Sequence, residues 1–353
     1  MSLTVWIKKR CGDFLLDVDF TAEAGRPFAL LGASGSGKSM TLQCVAGVRR
    51  PDQGYIELDG AVLFDSEAGI DLPPQRRRVG YLFQEYALFP NMTAAQNIAA
   101  GARRLGRADR ARRVRELTAL LGLEGLEKLR PSQLSGGQRQ RTALARLLAS
   151  DPAAILLDEP LSALDSGLRW RLEEELRERL ADFPGPVVWV THDRGEAYRS
   201  CGPVCVLDRG RSQPVTDMET LTYRPATVSA ALLAGCRTFA PVRRGPSDGL
   251  VEVPDWGVTL ECAAPWREGV TTLAARGRQL RLAEPGAVNA MTCRVLGLTA
   301  DVDRCYARLR PLTGGKDCPA LELEGERELA SALAGRETVT IAAAPEAWLL
   351  LTE

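Results

Sequence analysis

The sequence carries no net charge, with 45 basic and 45 acidic side chains. That balance removes any global electrostatic case for nucleic acid, and no nucleic-acid partner is expected. No apolar run approaches the ~18 residues that a membrane span requires. The opening stretch "MSLTVWIKKRCGDFLLDV" has no apolar core after a basic start, so no signal peptide is expected. The nine cysteines are scattered, odd in number and without paired metal-site spacing, which argues against a disulfide framework or a zinc site. There is no internal repeat and no low-complexity tract. These absences predict a soluble, intracellular, reduced protein that meets a membrane only through a partner.

What is present falls into two textures. To roughly residue 235, short apolar runs such as "RPFALLG", "PAAILLDEP" and "GPVVWVTHD" alternate with helical patterns such as "SMTLQCVAGV" and "GLRWRLEEELRERLADF". Apolar strands alternating with helices predict an α/β domain with a largely parallel sheet. Beyond it, "GLVEVPDWGVTLECAAP", "TCRVLGLTADVDRCYARLRPL" and "TVTIAAAPEAWLLL" are short alternating runs broken by Gly and Pro. They predict a small all-β, barrel-like domain over residues 237–353, following the α/β domain over residues 1–236.

The first domain contains "GASGSGKS" between a strand and a helix, which fits G-x-x-x-x-G-K-[ST]. Gly32, Gly35 and Gly37 let the backbone curl so that successive N–H groups of Gly32, Ala33, Ser34, Gly35, Ser36 and Gly37 face one centre. The helix that follows adds its positive end. Lys38 is placed to reach the β- and γ-phosphates, and Ser39 to offer a hydroxyl to Mg²⁺. This is a nucleotide site.

"AILLDEP" supplies two adjacent acids at a strand end. Asp158 suits the metal sphere and Glu159 the polarisation of an attacking water. His192 follows the strand "VVWV". It reads either as a γ-phosphate sensor at the end of a neighbouring strand or as a surface imidazole. A second Gly-rich turn, "LSGGQ" over Leu134, Ser135, Gly136, Gly137 and Gln138, opens another helical pattern near Gln138. It combines a hydroxyl, close backbone approach and a helix dipole, which is again phosphate-binding chemistry. One chain thus carries two phosphate cradles.

The ordered set "GASGSGKS", "LFQEYALFP", "LSGGQRQR", "ILLDEP", "SALD" and "VTHD" resembles the ATPase subunit of ATP-binding-cassette (ABC) transporters, from about residue 3 to residue 235. The resemblance resolves the doubling. In that family two chains pair head to tail, and the Leu134–Gln138 turn of one closes on the ATP held by the Lys38 loop of the other. It also implies that His192 is the sensor, that Gln84 lies near Mg²⁺ and the water, and that Asp165 couples the two sites across the dimer. The residues after Gln84 would face a membrane permease, although Phe83, Tyr86, Leu88 and Phe89 also suit an ordinary core. Two departures stand out: Met40 replaces a second hydroxyl of the P-loop, and the loop "KKRCG" has no aromatic to stack on adenine, with Phe14 nearby but reading as strand. "PQRRRVG" reads as a solvated basic turn.

A single cassette followed by a β domain is similar to importer ATPases of the sugar, sulfate and molybdate groups, whose C-terminal domain is OB-like. "DSEAGIDLPPQRRRVGY" and "GKSMTLQCVAG" resemble the molybdate and sulfate subgroup. The resemblance implies a homodimer peripheral to the cytoplasmic face of the membrane, beneath permease subunits served by an external oxyanion-binding protein. Molybdate is the expected cargo, with sulfate or thiosulfate and then sugar or another solute as alternatives. A soluble ATP-dependent switch without a transport role is the reading from a different class.

Overall fold

The computed structural model describes every residue except 163–165. Asp165 therefore lies outside the described residues. The chain divides into two compact units, Met1–Met218 and Glu219–Glu353.

The first unit begins with antiparallel strands. β1 (Ser2–Cys11) and β2 (Phe14–Glu23) form a hairpin around Gly12 and Asp13, with Cys11 opposite Phe14. β3 (Phe28–Leu31) ends at the first Gly-rich turn, and α1 (Lys38–Val45) leaves it. β4 (Gln53–Leu58), β5 (Ala61–Asp65) and β6 (Ile70–Asp71) extend the hairpin sheet, and β7 (Val79–Leu82) follows. Three helices pack on one another: α2 (Ala94–Gly101), α3 (Arg107–Leu120) and α4 (Gly136–Ala149). Then come β8 (Ala154–Asp158), α5 (Ser166–Ala181), β9 (Val187–Thr191), α6 (Arg194–Ser200), β10 (Pro203–Asp208), β11 (Arg211–Ser212) and β12 (Thr216–Asp217).

The sheet order is β6-β5-β4-β1-β2-β11-β10-β3-β9-β8-β7. The β10-β3-β9-β8-β7 half is parallel, as the apolar runs predicted. Every residue of β3, β8 and β9 is buried, as expected of strands covered on both faces. The other half is antiparallel except for the short parallel pairing of β11 with β2, so the sheet is mixed. β2 alternates buried and open positions, the mark of a strand covered on one face. Its buried face, with Leu3, Val5 and Ile7 of β1, joins Leu30, Leu156 and Val190 of the parallel half in one core.

The second unit is mostly β, with three antiparallel sheets and short helices. Its core centres on Trp256 and Trp348, whose rings lie 6.1 Å apart, surrounded by Leu273, Leu309, Leu321 and Ile341. The change of texture after residue 235 placed residues 219–236 with the first domain. Here the helix Val228–Leu233 and the residues after it bury Ala231 and Cys236 against Ala274 and Leu351, all within the second unit. Arg276 fastens the same segment by donating to the carbonyls of Thr222 and Ala234.

Candidate nucleotide site

Four adjacent parallel strands, β3-β9-β8-β7, bring their carboxyl ends together. The residues just past those ends are the Gly32–Ser39 loop, His192, Asp158 with Glu159, and Gln84. This is where an open parallel sheet places its ligands.

The first Gly-rich turn has the form of an anion cradle. Gly35 and Gly37 adopt φ +80° and +107°, the left-handed region open to glycine. A Cβ on Gly37 would lie 2.6 Å from Leu16 Cδ1, and one on Gly32 would collide with the Leu207 carbonyl. Lys38 Nζ donates to the carbonyls of Gly32 and Ala33 at 2.8 and 2.9 Å, holding the loop curled around its own cation. Burial lowers the Lys38 pKa, against the opposing pull of the Glu159 and Asp158 carboxylates. A cleft of about 430 Å³ opens here, lined by Ser34, Lys38, Ser39, Met40, Gln84 and Glu159. Cys11 and Phe14 line it too, so Phe14 faces this cleft although it is the first residue of a strand.

Asp158 is 4% exposed and held on both oxygens. Ser39 Oγ donates to Oδ1 at 2.8 Å, and the Tyr81 hydroxyl donates to Oδ2 at 2.8 Å. Burial raises the Asp158 pKa, and those two hydrogen bonds work against the rise. A hydroxyl beside a carboxylate is an oxygen donor set that suits Mg²⁺. Sequence reading missed Tyr81. Its signal was the alternation in "VGYL", which turns Tyr81 to the same face of β7 as Val79.

Glu159 sits at φ +45°, unusual for a residue with a side chain. Its N–H donates to Val190 O at 3.0 Å, and its carbonyl accepts from the amide and hydroxyl of Ser162 at 3.2 and 3.0 Å. Such strain at a sheet end is typical of functional positions. His192 Nδ1 lies 3.2 Å from Glu159 Oε1, and the ring is 55% exposed. With Nδ1–H donating to Glu159, Nε2 is left for another group.

The second turn is elsewhere in the fold. α4 starts at Gly136, two residues before the expected start. Ser135 is its N-cap: Gln138 N donates to Ser135 Oγ at 3.3 Å, and Ser135 N to Gln138 Oε1 at 2.8 Å. This reciprocal capping box forms because serine followed three residues later by glutamine outweighs the poor helix propensity of two glycines. Leu134 and Gly137 are buried, while Ser135 is exposed. None of the Leu134–Gln138 residues lines the Lys38 cleft.

Two further expectations meet the structure. Of the aromatic and apolar residues after Gln84, only Tyr86 is fully core, while Phe89 is 46% exposed. The basic turn "PQRRRVG" is not wholly solvated. Arg77 is buried, and it donates to the carbonyls of Leu72, Cys44 and Val45 and to Asp71.

The ABC transporter family profile matches residues 15–162. The molybdate/tungstate import ATP-binding protein WtpC of Archaeoglobus fulgidus is 46% identical over 60% of this chain and 85% of its own length. This chain belongs to the ABC transporter family. The molybdenum import ATP-binding protein ModC of Paramagnetospirillum magneticum is 40% identical over 62% of this chain, and the chain spans 60% of that relative. The spermidine/putrescine import ATP-binding protein PotA of Rubrobacter xylanophilus is 37% identical over 79% of the chain and 76% of that protein. Among solved structures, a dimeric post-hydrolysis state of the ATP-binding cassette MJ0796 bound to ADP and Pi superposes with TM-score 0.53. It is 27% identical and covers 61% of this chain and 98% of that one. The ABC ATPase fold predicted from the motifs is thus the fold observed.

Proposed function

We propose that this chain is the ATP-hydrolysing subunit of a membrane importer, working as a head-to-tail pair and powering uptake of an oxyanion, molybdate in the first instance. The observation that carries the reading is the separation of the two cradles. The Lys38 cleft is lined by the glycine nest and Glu159, with Asp158 bonded to Ser39 and His192 beside Glu159, while the Ser135 turn caps a helix and lines no part of that cleft. In a head-to-tail pair, each cleft receives the Ser135–Gly137 turn of the other copy.

The geometry supports the following roles. The N–H groups of Gly32 to Met40 and the Lys38 ammonium bind the phosphates, and Lys38 exchanges its two loop carbonyls for phosphate oxygens. Ser39, Asp158 and Gln84 would hold Mg²⁺, which would neutralise phosphate charge. Glu159 accepts a proton from the attacking water, and His192 orients that carboxylate through Nδ1 and faces the γ-phosphate through Nε2. Asp165 would couple the paired sites. Hydrolysis removes the γ-phosphate contacts that hold the pair shut, which gives an opening and closing cycle.

Among the described residues no helix is long and apolar enough to cross a membrane. That fits a peripheral subunit on the cytoplasmic face, bound to permease subunits that an external binding protein supplies. Relatives named for molybdenum and for molybdate/tungstate import at 40% and 46% identity favour an oxyanion. The test is uptake in cells lacking this gene, following molybdenum by elemental analysis, with labelled sulfate and putrescine alongside. Loss of molybdenum uptake, restored by the wild-type gene but not by Glu159→Gln, is the expected result. Loss of sulfate or putrescine uptake alone would move the assignment to that cargo.

A further inference from the structure

Gln84 is followed by a turn whose backbone has no glycine to accommodate it. Tyr86 and Ala87 both lie in the left-handed region, at φ +61° and +43°. Tyr86 N donates to Phe83 O at 2.8 Å, and Ala87 N to Glu85 O at 2.7 Å. The second bond closes a three-residue turn centred on Tyr86, in the rarer and strained hand. Two such residues in succession do not hold their shape unaided.

What holds them comes from α4. Arg146, in the last turn of that helix, donates from Nη2 to Tyr86 O at 3.0 Å and from Nη1 to Ala87 O at 2.8 Å. Its guanidinium carbon lies 5.2 Å from the centre of the Phe89 ring. The cation thus meets two carbonyls and an aromatic face, all within five residues of Gln84. The rigid fork of a guanidinium matches two adjacent carbonyls, whereas an ammonium presents a point charge.

We infer that Arg146 is a positioning residue for Gln84: its fork fixes the strained turn behind Gln84 and so sets where that side chain enters the nucleotide cleft. This rests on the reading of Gln84 as part of the hydrolytic set. Arg146 does not line the cleft, so its effect falls on turnover and leaves nucleotide binding intact.

The test uses the purified full chain with Arg146→Lys, Arg146→Met, Gln84→Ala and the Gln84→Ala/Arg146→Lys double variant. Mg²⁺-dependent ATPase kinetics, MANT-ATP affinity without Mg²⁺ and thermal melting are read on each. Arg146→Lys keeps the stem and the charge, and it decides the matter if Arg146→Met does not fold. The expected result is a kcat lowered about 10-fold or more by Arg146→Lys, with MANT-ATP affinity changed by less than about 2-fold. In the Gln84→Ala background the same substitution should cost nothing further, because its effect runs through Gln84. Full kcat in Arg146→Lys overturns the inference, as does a loss that multiplies that of Gln84→Ala. If Gln84→Ala alone keeps wild-type kcat, the reading of Gln84 fails and the inference falls with it. If Gln84→Ala is impaired but the losses multiply, only the inference falls.

Discussion

Replacing Arg77 by alanine should destabilise the first unit more than any change to the exposed basic residues beside it. The Arg77 side chain is 0% exposed and its guanidinium makes four hydrogen bonds. Two go to Cys44 O and Val45 O at 2.8 and 2.9 Å, the last carbonyls of α1. A third goes to Leu72 O at 2.7 Å, and the fourth to Asp71 Oδ1 at 2.9 Å. At roughly 1.5–3 kcal/mol for each bond to a charged group, a simple sum would overshoot, because the four share one cation. Asp71 is 34% exposed and retains Arg50 at 3.4 Å, so it rehydrates at little cost. The three carbonyls do not, and a partner removed from a buried charged network costs about 3–5 kcal/mol. For a unit of this size that lowers Tm by about 6–20 °C. Urea titration and thermal melting of Arg77→Ala check the figure, with Arg76→Ala as the exposed control. Arg77→Lys should recover only part, since one ammonium cannot span carbonyls from α1 and from Leu72. A loss under about 1 kcal/mol for Arg77→Ala would refute the claim that this cation anchors the helix carrying Lys38 and Ser39.

Three other outcomes are expected. Glu159→Gln should keep ATP affinity, lower kcat by about 100-fold or more, and elute as a dimer in Mg-ATP; a monomer at saturating nucleotide would count against the paired site. Lys38→Ala and Ser135→Arg should each abolish ATP-dependent pairing alone, yet an equimolar mixture should regain it, because the mixed pair holds one site with both cradles intact; no recovery would mean that both cradles act within one chain. Glu196 is 4% exposed, accepts from Trp189 Nε1 at 2.5 Å, and has its pKa raised from 4.5 to about 7, first by burial and then by the Asp193 and Glu173 carboxylates. A carboxyl raised in the folded state contributes its stability below pH 4.5, and this is lost as pH rises through about 7. Glu196→Gln keeps an acceptor for Trp189 and should flatten that slope, by about 2–3 kcal/mol across the window; equal slopes in denaturant melts from pH 4.5 to 8 would contradict it.

The chemistry was more legible in the sequence than the backbone that carries it. The Gly32–Ser39 loop and the acids Asp158 and Glu159 declare themselves because each position has a steric or ionic requirement that few residue types meet. β3, β8 and β9 were legible as parallel strands because burial on both faces leaves an unbroken apolar run. The antiparallel half was missed at a readable signal: Gly12-Asp13 between alternating strands is a two-residue hairpin turn. The start of α4 was misplaced because two glycines read as a breaker, whereas Ser135 with Gln138 spells a capping box. Tyr86 and Ala87 gave no signal at all, since their left-handed backbone is imposed from α4, sixty residues along the chain. Arg77 was equally hidden. Arg76, Arg77 and Arg78 are alike in sequence, and only the path of α1 selects the middle one for burial.

The position of Arg77 also bears on the cargo. The stretch most like the molybdate group, "DSEAGIDLPPQRRRVGY", contains Asp71, Leu72 and Arg77, the residues that fasten the end of α1. In this chain those three residues anchor the P-loop helix, so the stretch that resembles the molybdate group serves the nucleotide loop. The same holds for the residues assigned to the nucleotide, whose proposed partners are phosphate, metal and water. Under the proposed function, selection of an oxyanion over a polyamine falls to the partner that passes the cargo, and the ATPase enters that choice only through the permease it fits. This is why the uptake experiment needs putrescine beside molybdate and sulfate: the relative named for spermidine and putrescine aligns over 79% of this chain, more than the 60% aligned by the relative named for molybdate and tungstate.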